Sequence, residues 1–298
     1  MFKGSIVALI TPFCSGGVDE KTLASLVEWQ IQQGTQGIVP CGSTGEGMAL
    51  SYAEKCRVIE ICVKMAAGRI PVIASTGLIT TPETIQLTQS AQGLGADGAL
   101  VIVPPYLKPS AEGIYQHFKA VHDATDLPIV IYNHPGRTGV DLSLATLQRL
   151  AKLKNIVGLK DASLNPYRPV EIRQQIGTEF VFLSGDDGAT LALMAQGGQG
   201  AISITANVSP KLCVDTYHAW VAGDMQTVAE LRDQLFPLHQ ALCIESNPTP
   251  VKYAASVLGL CANEVRAPLV PITQASQQIV DAALQHAGLS GQTLTLAG

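Results

Sequence analysis

Eight short apolar runs, rich in Val, Ile, Leu and Ala, recur along the chain with stretches of helical spacing between them. They read as strands near Ser5–Ile10, Gly37–Pro40, Pro71–Ala74, Ala99–Val103, Pro128–Tyr132, Asn155–Lys160, Phe180–Ser184 and Ala201–Ile204. Near-continuous apolar runs, as opposed to alternating ones, belong to strands buried on both faces, and such strands are parallel and joined by helices. Eight of them is the number a (β/α)8 barrel needs. A doubly wound open sheet is the competing arrangement, but no G-x-G-x-x-G follows the first run.

Local signals agree with the alternation. Ser51 with Glu54 forms a capping box, and Thr81 followed by Pro82 places proline at the first position of a helix. Gly34-Thr35-Gln36-Gly37, Gly95-Ala96-Asp97-Gly98 and Gly197-Gly198-Gln199-Gly200 each read as a turn closing a helix and opening a strand. Glycine takes the left-handed conformation there at little cost. After Asp224 the strand-like runs stop. The expected division is a catalytic barrel over 1–224 and a helical domain over 225–298, interrupted at Pro237, Pro248, Pro250 and Pro268.

Composition removes several classes of function. Of the 298 residues, 47% are hydrophobic and only 14% charged, which fits one large buried core. With aromatics at 5%, aliphatic side chains must fill that core. A formal net charge of -5 and the lack of basic runs argue against nucleic acid or anionic membrane as partner. The apolar N-terminal stretch is cut by Thr11-Pro12 and is too short for a secretory signal, and no segment is long enough to span a bilayer. The 7 cysteines contain no C-x-x-C pair, as expected of reduced thiols in a cytoplasmic protein. The 6 histidines lack ligand spacing, so neither a metal nor an organic cofactor is expected.

Chemistry-bearing residues follow the runs. Strand C-termini in such a barrel open on the reaction face. Lys160 ends the sixth run and Tyr132 the fifth. A lysine held there is partly desolvated, and loss of solvation favours the free amine that attacks carbonyls. Cys41-Gly42-Ser43-Thr44-Gly45-Glu46-Gly47 follows the second run, with hydroxyls and backbone N–H groups suited to an anion. Arg137, after the fifth, can clamp a carboxylate. Asp186 and Asp187, after the seventh, would repel a phosphate and suit the N-cap and first turn of a helix. Taken singly, each residue has an ordinary reading as a loop or strand-end residue; the shared barrel face links them.

The ordered set closely resembles the dihydrodipicolinate synthase family of pyruvate-dependent Schiff-base lyases, to which N-acetylneuraminate lyase is related. It runs from Gly4-Ser5-Ile6-Val7-Ala8 through Gly42-Ser43-Thr44-Gly45-Glu46, Pro104-Pro105-Tyr106, Tyr132-Asn133, Arg137-Thr138-Gly139 and Gly158-Leu159-Lys160-Asp161-Ala162. It continues through Ser184-Gly185-Asp186-Asp187 and Ile202-Ser203-Ile204-Thr205 to Asn247-Pro248 and Pro250-Val251-Lys252.

The resemblance implies that Lys160 forms an imine with pyruvate and that Tyr132 relays protons through Ser43 to Tyr106, which reaches in from a neighbouring subunit. It implies that Thr44, Ile202 and Gly185 line the pyruvate site and that Arg137 binds the carboxylate of L-aspartate 4-semialdehyde. It also implies a homo-oligomer, a tetramer built as a dimer of dimers, working in diaminopimelate and lysine biosynthesis.

Ser43 stands where the synthases usually carry threonine, a choice shared with the neuraminate-lyase branch, whereas Arg137 belongs with the synthases. His134 is unusual in its loop. In the family's lysine-inhibited members an asparagine and a tyrosine stand where this chain has Ile79 and Pro105, while Glu83 is retained; weak inhibition by lysine is therefore expected. The alternatives are a sister aldolase acting on a sugar acid or hydroxy-oxo acid, and a non-catalytic metabolite-binding barrel.

Overall fold

The computed structural model describes residues 2–290. Eight parallel strands form one sheet: β1 (Gly4–Ala8), β2 (Ile38–Val39), β3 (Ile73–Ser75), β4 (Gly98–Ile102), β5 (Ile129–Asn133), β6 (Ile156–Asp161), β7 (Val181–Ser184) and β8 (Gly200–Ser203). Each pairs with its neighbours in chain order, β1 pairs with both β2 and β8, and a parallel bridge from Ile38 to Val72 closes the ring. The expected barrel is present, with strand boundaries displaced by at most two residues. A small antiparallel hairpin, Phe13–Cys14 with Gly17–Val18, is an addition that no apolar run announced.

Side-chain alternation divides the core into two layers. Ile6, Val39, Ile73, Leu100, Val130, Leu183 and Ile202 fill the inside of the barrel. Val7, Val101, Ile131 and Leu159 point outward into the layer beneath the helices. Phe2 closes the bottom: a Cβ on Gly98 would lie 2.6 Å from its ring.

The helices are α1 (Glu20–Gln32), α2 (Tyr52–Ala66), α3 (Thr81–Gly93), α4 (Ala111–Asp123), the single turn α5 (Pro135–Thr138), α6 (Leu144–Leu150), α7 (Arg168–Gln175), α8 (Thr190–Ala195), α9 (Pro210–Ala222), α10 (Met225–Ala241), α11 (Thr249–Val257) and α12 (Gln274–His286). The Ser51–Glu54 capping box starts α2 as expected. In α3 the cap is Thr80, one residue earlier than expected, so Pro82 sits second in the helix. Gly34, Gly95 and Gly197 all have positive φ, at 86°, 91° and 104°. The three tetrads therefore turn the chain as their composition requires.

Pro237 does not break its helix; α10 runs through it. The carbonyl of Asp233, deprived of its usual amide partner by the proline ring, lies 3.2 Å from Nε2 of His286 at the end of α12. No helix among the described residues is long and apolar enough to cross a membrane.

Candidate active site

Strands β5 and β6 place the two central side chains by register. Tyr132 pairs with Lys160, and Asn133 with Asp161. Because successive residues face opposite ways, the first pair points into the barrel mouth and the second outward. On the outer side, Asn133 Nδ2 donates to Asp161 Oδ1 and Asp141 Oδ1, each at 2.7 Å, and Ser163 Oγ donates to Asp161 Oδ2. These bonds tie down the loops that follow both strands.

Lys160 is buried, with its Nζ 4.1 Å from the centroid of the Tyr132 ring. Burial pulls its ammonium down to about 7; Asp187 opposes that shift and Arg137 adds to it. Near neutral pH a large share of the side chain is therefore free amine. Tyr132 moves the other way, pushed up to about 12 by burial despite Arg137 and a hydrogen bond with Ser43. It remains a phenol and can donate its proton.

The Ser43–Thr44 loop is folded tightly. Cys41 and Glu46 both take left-handed backbone, at φ 58° and 53°. A Cβ on Gly47 would lie 1.9 Å from the Cys41 carbonyl, so only glycine fits there. The Glu46 carboxylate turns away from the mouth to a fully buried ion pair with Lys252 Nζ at 2.5 Å, and accepts from the Arg266 amide at 2.9 Å. Lys252 Nζ also donates to the Glu264 carbonyl and lies 3.8 Å from the centroid of the Phe13 ring. The chain around α11 thus anchors the loop from behind.

The same stretch reaches the mouth. Asn247 Nδ2 donates to Thr44 Oγ1 at 3.0 Å, and the Asn247 carbonyl accepts from Arg137 Nη2 at 3.1 Å. Gly185 donates its amide to the Asp161 carbonyl at 2.7 Å, which sets the end of β7 against β6. Ile202 lies inside the barrel, in register with Ile6. His134, half-buried, meets Tyr132 edge-on with centroids 5.8 Å apart. Its ring is held down to about 4 by burial, then by Arg137 and Lys160, so it is neutral near neutral pH.

Of the expected site residues, Lys160, Tyr132, Ser43, Thr44, Arg137, Gly185 and Ile202 lie at or just below one rim. Tyr106 does not join them within this chain: it is 85% exposed, with a φ of 70°. Asp186 and Asp187 do not form the N-cap and first turn of α8, which starts at Thr190 with Ala189 as its cap residue. Asp186 caps the turn, accepting from the Ala189 amide at 2.9 Å. Asp187 reaches back to accept from the amides of Ile204 and Thr205, at 2.9 and 3.1 Å. Glu46, Asn247, Lys252 and Arg266 carry no role in the sequence alone. Lys252 left a signal, an isolated lysine inside an apolar helical pattern.

The model of the Dihydrodipicolinate synthetase family matches residues 1–287. A 4-hydroxy-tetrahydrodipicolinate synthase of Rhodospirillum centenum is 56% identical over 97% of this chain and 99% of its own. The crystal structure of dihydrodipicolinate synthase from Aquifex aeolicus, 45% identical, superposes with a TM-score of 0.95 over 97% of this chain and 99% of that one. The chloride-inhibited synthase of Acinetobacter baumannii, solved in complex with pyruvate, is 44% identical, with a TM-score of 0.94 over 97% and 100% of the two chains. Matched along nearly its whole length in sequence and in backbone, the chain belongs to the Dihydrodipicolinate synthetase family.

Proposed function

We propose that the chain is a lyase that condenses pyruvate with L-aspartate 4-semialdehyde, the 4-hydroxy-tetrahydrodipicolinate synthase step of diaminopimelate and lysine biosynthesis. The observation that carries this reading is the Lys160 amine, buried at the barrel mouth beside Tyr132 and poised near pH 7. The names of the relatives and the pyruvate complex of the Acinetobacter baumannii enzyme support it.

The amine attacks the ketone carbon of pyruvate, and loss of water leaves an imine. The imine withdraws electrons, so a methyl proton departs and an enamine forms. Its carbon attacks the aldehyde of the second substrate, and the new alkoxide takes a proton. The amino group of that substrate then adds to the imine carbon, closing the ring and expelling the Lys160 amine. Tyr132, still protonated and in contact with Ser43, is placed to pass protons to and from these atoms. Thr44, Gly185 and Ile202 would hold the pyruvate carboxylate, and Arg137 that of the second substrate. Tyr106, exposed on a left-handed turn, would complete the relay in the site of a neighbouring copy, in a homotetramer built as a dimer of dimers. The barrel would occupy 1–224 and the helical domain 225–298, of which residues 1 and 291–298 lie outside the described residues.

The test is borohydride reduction in the presence of pyruvate, with mass measurement of the Lys160 peptide, alongside turnover of aspartate semialdehyde. A pyruvyl adduct on Lys160 with semialdehyde turnover is expected. An adduct with faster turnover of sugar-acid aldehydes would make the chain a sister aldolase, and no adduct at all would leave a non-catalytic barrel.

A further inference from the structure

One flank of the barrel is under-filled. Outward positions elsewhere carry Val7, Val101, Ile131 and Leu159. Along β8 and at the start of β1 they carry Ser5, Ala201 and Ser203, because Ile6 and Ile202 face inward. The helix after β7 is also short, since α8 spans only Thr190–Ala195. Small side chains under a short helix leave a cavity of about 70 Å³, roofed by Leu191, Met194, Leu235 and Phe236. That is several times the roughly 10–15 Å³ one water requires.

Its walls define what fits. The lining is mainly apolar, which excludes a highly polar guest. Asp187 and Arg232 place one charge of each sign in the wall, which favours a neutral guest over either ion. Ser5 lines the cavity, is 5% exposed, and its Oγ has no hydrogen-bond partner in the chain. Left unpaired, a buried hydroxyl costs about 1–3 kcal/mol, which a guest with one hydroxyl or carbonyl would recover.

The cavity also touches the catalytic side. Asp187 holds the amides of Ile204 and Thr205 just beyond Ile202. His239, also in the lining, contacts Thr205 Oγ1 through Nδ1 at 2.8 Å. Asp187 follows the strand whose Leu183 pairs with Lys160 on β6, and its charge opposes the downward shift that burial gives that amine.

We infer that the cavity between β1, β8 and helices α8 to α10 is a second binding site, for a small neutral aliphatic alcohol or ketone, and that its occupancy alters Lys160 through Asp187. The binding half stands on the cavity alone; the coupling half rests on the imine chemistry proposed above. The probe is isobutanol, titrated into the full-length protein and followed by ligand-observed NMR, with the rate of borohydride-trapped pyruvate imine as second readout.

Saturable binding is expected, with at least a twofold change in the trapping rate at saturation. Ser5→Val fills the cavity and removes the hydroxyl, and Ala201→Val fills it from the neighbouring strand. Each should weaken isobutanol at least tenfold while leaving turnover without isobutanol unchanged. Absence of saturable binding up to ~50 mM, or equal binding by both variants, overturns the site. Binding that depends on Ser5 but leaves the trapping rate unmoved overturns the coupling. Failure of the wild-type protein to form any pyruvate adduct would instead count against the proposed function, with the binding result unaffected.

Discussion

The Lys160 amine lies 4.1 Å from the centroid of the Tyr132 ring, and the two residues are paired across neighbouring strands. Burial shifts both groups toward their neutral forms, an amine near 7 and a phenol near 12. A free nucleophile and a proton donor therefore coexist at the same pH, which imine formation requires.

Imine formation should rise with pH through about 7, because the reactive form is the unprotonated amine. Arg137 pushes the ammonium pKa down and Asp187 holds it up. Arg137→Ala should therefore move the midpoint of borohydride trapping to higher pH, and Asp187→Asn to lower pH. Initial trapping rates across a pH series check both signs; shifts in the opposite directions would contradict the electrostatic account.

Tyr132→Phe should still trap pyruvate on Lys160, because the amine remains buried. Turnover should fall by about 10²–10⁴, the usual loss when a positioned proton donor is removed. Comparing the adduct yield with kcat separates the two steps.

Lys252→Met leaves the Glu46 carboxylate buried without its cation, so unfolding in urea should reveal a loss of about 3–5 kcal/mol. Glu46→Gln combined with Lys252→Met should recover most of that loss, since no unpaired charge remains. If the double variant were no more stable than the single one, the pair would not be the cause.

Inhibition by lysine should require more than ~1 mM, a binding free energy weaker than about −4 kcal/mol. Ile79 and Pro105 offer no side-chain hydrogen bond, and the Glu83 carboxylate accepts from Thr80 Oγ1 at 2.6 Å. A coupled assay with added lysine measures it directly.

The barrel was legible because parallel strands buried on both faces leave uninterrupted apolar runs, and runs survive in one dimension. Lys160 and Tyr132 were legible for the same reason, being the polar residues that end such runs. What escaped notice depends on meetings between distant segments. Glu46 looks like a loop carboxylate until Lys252 arrives from α11, and Asn247 gains meaning only when Thr44 and Arg137 flank it. Pro237 reads as a stop because a proline ring removes one hydrogen bond; nothing local shows that His286 comes to the freed carbonyl. The cavity beneath α8 arises from missing methyl groups, which a hydrophobicity pattern does not register.

Phe2 beneath Gly98 makes the barrel a blind well, open at one end only. In the proposed reaction the oxo acid, the water lost on imine formation, the aldehyde and the product would all pass one rim. Lys160 lies below that rim, so whatever is bound covalently to it blocks the base while the next reactant waits above. Traffic through a single doorway imposes a queue, and the keto acid, which needs the amine at the bottom, must enter first.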